Sequence, residues 1–114
     1  MKKLLFLLSI FFISFNINAQ LVLKLSSVTA NKGDNISIEL RTDNFTKIQS
    51  SQYSIAYDTM LMQYIDLSNF APGYEDIAYT EQPGKKGKIN TSWNNPNGES
   101  NSYPNNTLLF KINF

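Results

Sequence analysis

From Leu21 to Phe114 the apolar residues recur at every second position, and no stretch of ten holds them at the 3.6-residue spacing of a helix. That period dictates strands. Leu21, Leu23 and Leu25 alternate with Val22 and Lys24, in a run open to continuation through Ser26-Ser27-Val28, and Ile36, Ile38 and Leu40 alternate with Ser37, Glu39 and Arg41. Between them Asn31-Lys32-Gly33-Asp34-Asn35 reads as a tight polar turn. Residues 48–57 put Ser51, Tyr53, Ile55 and Tyr57 on one face, and residues 62–67 offer a further strand whose inward side the pattern leaves open. Phe70-Ala71-Pro72-Gly73 ends it. Residues 77–80 and the run carrying Ile89, Thr91 and Trp93 flank a Pro- and Gly-containing hairpin loop, Gln82 to Gly87. Asn94 to Asn106 reads as a long connection. In the last run Leu108, Phe110, Ile112 and Phe114 alternate with Thr107, Leu109, Lys111 and Asn113. Short strands at roughly ten-residue spacing predict an all-β fold, an antiparallel β-sandwich with jelly-roll topology. Phe114 ends an apolar strand with no turn after it, which predicts an exposed sheet edge. Either the domain lacks its last strand, as a fragment of a larger exported protein, or the closing strand comes from elsewhere.

The first nineteen residues break the pattern. Met-Lys-Lys, an apolar run from Leu4 to Phe15 and the small residue Ala19 follow the three-part plan of a secretory signal peptide, with cleavage after Ala19. Twelve apolar residues make about 18 Å of helix, short of the ~30 Å hydrocarbon core. Residues 1–19 are therefore expected to be a removed leader, and 20–114 a single secreted or cell-surface domain without membrane insertion.

Losing Lys2 and Lys3 leaves eight of the ten basic residues against nine acidic ones, a net charge of −1. Such a balance gives a nucleic-acid backbone no basic face to contact. The chain has no cysteine and no histidine, which removes disulfides, Ser-His-Asp and Cys-His nucleophiles and thiolate or imidazole zinc sites. Packing alone must hold the domain.

Several residues invite chemistry and are weighed against structural roles. Asp58, after Tyr57, is expected to cap the turn at Thr59-Met60 and let Leu61 drop back into the core. Glu75, Asp76 and Glu81 are the acids nearest to a glycosidase pair, but their loop-like surroundings point to solvated side chains. Trp93, Tyr74, Tyr79 and Tyr103 could offer flat faces to sugar rings. Trp93 shares a strand face with Ile89 and is expected in the core, whereas Tyr103 in its polar loop is the better exposed aromatic. Weak ligand contacts are thus assigned to Tyr103, Tyr79 and Trp93. Lys85, Lys86 and Lys88 lack the spacing of a phosphate loop, the four N-glycosylation sequons are what an asparagine-rich chain produces, and the Asn94-to-Glu99 loop lacks a second carboxylate for calcium. No catalytic residue, metal site or cofactor is assigned.

Asn31-Lys32-Gly33-Asp34 leading into Ile36-Ser37-Ile38, then Tyr53-Ser54-Ile55-Ala56-Tyr57-Asp58 with Leu61, Gly87-Lys88-Ile89 to Trp93, and Leu108 to Phe114 together resemble the cohesin domain. Tyr57-Asp58 with Leu61 is the most specific part. The resemblance implies a jelly-roll sandwich of nine strands, the last without a counterpart here, related to carbohydrate-binding modules. It implies a non-catalytic receptor that binds dockerin modules, or another cell-surface protein, through one sheet face, in extracellular polysaccharide breakdown or surface assembly. Since the chain lacks the Asp-x-Asn-x-Asp-Gly loop of a dockerin, it would be the receiving side. The alternative is direct polysaccharide binding through exposed tyrosines.

Overall fold

The computed structural model describes residues 20–114, and the expected leader lies outside them. Nine strands are formed among the described residues: β1 (Val22–Leu25), β2 (Ser37–Asp43), β3 (Phe45–Ile48), β4 (Ser50–Ala56), β5 (Asp66–Ser68), β6 (Ala78–Glu81), β7 (Lys88–Asn94), β8 (Asn101–Tyr103) and β9 (Thr107–Asn113). They pair antiparallel into a four-stranded sheet β1-β2-β9-β5, a three-stranded sheet β4-β7-β6 and a two-stranded ribbon β3-β8. No helix occurs among the described residues, so the all-β sandwich expected from the alternation holds.

The alternating faces meet as a core between the two larger sheets. Leu40 and Ile112 from one, and Ile55, Ile89 and Trp93 from the other, are buried together with Phe45, Tyr74, Leu109 and Phe110. Four aromatic contacts join the layers. Tyr74 lies 6.4 Å from Phe110 of β9 and 4.9 Å from Trp93 of β7 between ring centroids, which sets β7 over β9. Phe70, two residues after β5, stacks 5.9 Å from Tyr79 of β6 and closes the flank where those strands lie. Tyr57, just past β4, meets Phe114 at 5.3 Å, and Phe114 pairs through its backbone with Ile36 at the start of β2. The end of β4 therefore packs on the end of β9.

Four expectations need correction. Residues 62–65 are not strand: β5 begins at Asp66, and Leu67 is its buried residue. The run 48–57 is two elements, because Ile48 belongs to β3, which follows a turn at Asn44 with φ of 58°. The connection 94–106 contains β8, whose Asn101 and Tyr103 face Ile48 and Phe45. Finally, Leu40 pairs Phe110 while its neighbour Arg41 pairs Leu108, so Leu109 is the extra residue of a bulge. The bulge turns both Leu109 and Phe110 inward and puts Leu108 on the outer face, reversing the alternation read from sequence. The Leu109 carbonyl accepts the Ala71 N–H at 2.8 Å.

Polar satisfaction is complete among the described side chains, with no buried side-chain nitrogen or oxygen lacking a partner. β9 is paired on both sides, by β2 and β5, and the edge strands of the two large sheets are β1, β5, β4 and β6.

Candidate functional site

Strand periodicity gives each sheet an outer face, and the two outer faces differ in chemistry. On β4 the outward residues are Ser50, Gln52, Ser54 and Ala56, on β7 they are Lys88, Asn90, Ser92 and Asn94, and on β6 they are Ala78 and Thr80. Cross-strand neighbours run in rows, Thr80 beside Asn90 beside Ser54, and Ala78 beside Ser92 beside Gln52. All are exposed except the half-buried Asn90, whose Oδ1 accepts the Ser54 hydroxyl at 2.7 Å. This face is a row of hydroxyls and amides with Lys88 as its only charge. Such groups donate and accept hydrogen bonds without the desolvation cost of burying ions.

The opposite outer face is charged, and four of its six charged side chains form two ion pairs. Lys24 bridges Asp43 at 2.9 Å, and Arg41 bridges Glu39 at 2.9 Å while also donating to the Asn106 carbonyl. The Lys24 ammonium, then the Asn106 N–H, hold the Asp43 carboxyl below its ordinary range.

The residues singled out as ligand contacts fall elsewhere. Trp93 is fully buried, its Nε1 donating to the Gly73 carbonyl at 3.2 Å, so it presents no ring face to a glycan. Tyr103 is not the exposed loop aromatic expected: it sits on β8, packs 4.9 Å from Phe45 and donates its hydroxyl to the Pro72 carbonyl at 2.6 Å. Burial raises its hydroxyl pKa. Tyr74 is at the centre of the core, where its hydroxyl shares hydrogen bonds with Ser51 at 2.8 Å and Tyr53 at 3.0 Å. Only Tyr79 keeps an exposed edge, at 38%.

The acids are structural. Asp58 accepts the Met60 N–H at 2.9 Å and its own carbonyl takes the Leu61 and Met62 amides, which makes it the expected turn cap. Leu61, however, is 80% exposed, and Met62 turns to the core in its place. Glu81 is a half-buried residue of β6, not a loop acid, and accepts the Tyr57 hydroxyl and the Gly87 N–H. Glu75 accepts the N–H of Gly73. Among the described residues no group of three acids is placed to hold a metal ion.

A second feature is a cleft of about 310 Å³ lined by Tyr57, Thr59, Met62, Gln63, Tyr64, Glu81 and Lys86. Desolvation first, then the neighbouring Tyr79, Asp66, Glu81 and Tyr57, pushes the Tyr64 hydroxyl up to about 12. Desolvation and the Glu81 carboxylate raise Tyr57 as well. Both phenols stay protonated as donors at neutral pH.

The amide and hydroxyl face was not singled out in the sequence. Its signal was there in the outward polar positions of residues 50–56 and 88–94, which apart from Lys88 are Ser, Gln and Asn where an ordinary solvated strand face carries Lys and Glu. Comparison with known proteins agrees with the cohesin resemblance: the family model described as Cohesin domain matches residues 21–114. Neither the curated proteins nor the solved structures contain a match.

Proposed function

The chain belongs to the cohesin family, and from that premise we propose that it is an exported receptor module that takes up a dockerin-like module on the outer face of the β4-β7-β6 sheet, in the setting of polysaccharide breakdown. Cohesin domains are non-catalytic protein–protein docking modules. One observation carries the choice of face: Gln52, Ser54, Asn90, Ser92 and Thr80 form a hydrogen-bonding surface whose sheet face carries Lys88 as its single charge, while the outer face of the other sheet carries Lys24, Glu39, Arg41, Asp43, Asp66 and Lys111. A docking surface needs unspent donors and acceptors that desolvate cheaply. The leader expected at residues 1–19 supports export, and the structural engagement of Glu75 and Glu81 supports a module without catalysis.

The test is titration calorimetry with a panel of dockerin-bearing proteins, comparing the parent chain with Ser92→Arg and Lys111→Ser. Ser92 lies mid-face and is exposed, so an arginine there leaves the fold intact and is expected to weaken binding roughly tenfold or more. Lys111, on the other sheet, should leave affinity unchanged. Equal affinity for parent and Ser92→Arg would remove the face from consideration, and no binding to any dockerin would remove the partner class.

A further inference from the structure

The β4-β7-β6 face is nearly uncharged along its length, but the turns at its two ends are not. β6 runs through the hairpin Gln82 to Gly87 into β7, so that hairpin, Lys88 and the last residue of β4, Ala56, lie at one end of the sheet. The Tyr57 N–H donates to the Gly87 carbonyl at 2.9 Å and ties them together. Lys85, Lys86 and Lys88 stand here, each exposed. At the other end β7 finishes at Asn94 and β6 begins at Ala78. There the Asn95 N–H donates to the Gln49 carbonyl at 2.9 Å, just before β4. The segment leading into β6 carries Glu75 and Asp76, and the loop after β7 carries Glu99, all exposed. Opposing charges are fewer at each end. At the lysine end, Glu81 pairs with the buried Ile89 and so turns to the core side, where it accepts the Tyr57 hydroxyl, which leaves Asp58. At the acid end stands Lys47, two residues before Gln49.

From this layout, and resting on the docking reading above, we infer that the face admits its partner in one direction only: the partner module carries acidic side chains where it meets the Gln82–Gly87 hairpin and basic ones where it meets Glu75, Asp76 and Glu99. The seven residues of β7 separate the two ends by about 20 Å. That is twice the ~10 Å screening length at 0.1 M salt, so each pole acts on its own part of the partner. A partner turned by half a revolution on the face would set acid against acid and lysine against base, and like charges across an interface are strongly disfavoured.

The middle of the face cannot make that choice. Its hydroxyls and amides both donate and accept, so they satisfy a partner in either direction. Affinity comes from the rows Thr80-Asn90-Ser54 and Ala78-Ser92-Gln52, while orientation and the speed of encounter come from the two ends.

Stopped-flow association at about 50 mM and about 500 mM salt tests this, with the tightest binder of the dockerin-bearing panel as the probe. Lys85→Glu combined with Lys86→Glu reverses one pole, and Asp76→Lys combined with Glu99→Lys reverses the other. All four side chains are exposed. Both double variants should associate about tenfold more slowly than the parent at low salt, and the gap should close at high salt. Attraction by net charge alone gives a different result, because the two variants change the chain's charge in opposite directions and one of them would then associate faster. Such a result overturns the inference, as does either variant associating at the parent's rate, and in both cases binding persists and the docking reading stands. A panel without any binder removes the two together. Should a reversed variant lose the parent's circular dichroism, Lys85→Gln with Lys86→Gln and Asp76→Asn with Glu99→Gln are expected to slow association in the same sense by a smaller factor.

Discussion

Trp93 shows how far a single side chain can be read. Its place at period two from Ile89 and Thr91 put it on the inward face of β7, and it is fully buried there. Its indole contacts Phe45 and Tyr74, and its N–H is satisfied by the Gly73 carbonyl. Trp93→Ala empties the largest buried volume of the core and is expected to cost about 3–5 kcal/mol, measurable as a lower denaturant midpoint. As the chain's only tryptophan, Trp93 also reports on ligands. Its emission should be blue-shifted in the folded domain and unmoved by any soluble glycan. A glycan-induced shift would mean that the indole is reachable. The backbone at Gly73 supports this arrangement: its φ of +84° suits glycine, and a Cβ there would come 2.7 Å from the Asn101 amide.

Among the elements, the strands with unbroken alternation were legible and the irregular ones were not. β2, β4 and β7 bury one side only, so polar and apolar residues alternate in the sequence as the pleat does. β3 and β8 are four and three residues long, too short to show a period, so Tyr103 read as an exposed loop aromatic. The bulge at Leu109 was hidden because Leu108, Leu109 and Phe110 are all apolar, and the one-residue slip comes from pairing with β2 and with Ala71, both distant in sequence. The docking face was hidden for another reason: a polar outer face is the default of any half-buried strand, and only the scarcity of charge on it sets it apart. The bulge can be checked by contrast. Leu109→Ala is expected to cost about 2–5 kcal/mol, and Leu108→Ala, half-buried on the outer face, about 1 kcal/mol or less. Simple alternation would give the reverse order. Chemical denaturation of the two variants decides between them.

For the whole molecule, the absence of histidine and cysteine shapes its response to pH. Free carboxylates ionise near 4 and free ammonium and phenol groups near 10, and this chain has no imidazole or thiol to titrate between them. Folding stability should therefore be flat from about pH 6 to 9. Above that range the tyrosines decide. Burial, then the neighbouring Tyr74, raises the Tyr53 hydroxyl pKa far above its ordinary value, and desolvation takes Tyr64 to about 12. A phenol whose pKa is higher folded than unfolded keeps its proton longer in the native state. Between about pH 10 and 12 the unfolded chain thus binds fewer protons, so the stabilisation present below pH 10 is lost as pH rises. Tyr53 matters most, because its hydroxyl is part of the Ser51-Tyr74-Tyr53 cluster that joins β4 to the segment before β6. Melting followed by circular dichroism should show a plateau to pH 9 and a fall beyond pH 10. Tyr53→Phe should soften that fall, at the cost of one hydrogen bond at neutral pH. A parent whose melting temperature changes steadily between pH 6 and 9, or a Tyr53→Phe variant with an unchanged alkaline limb, would show that these phenols do not govern the molecule's response.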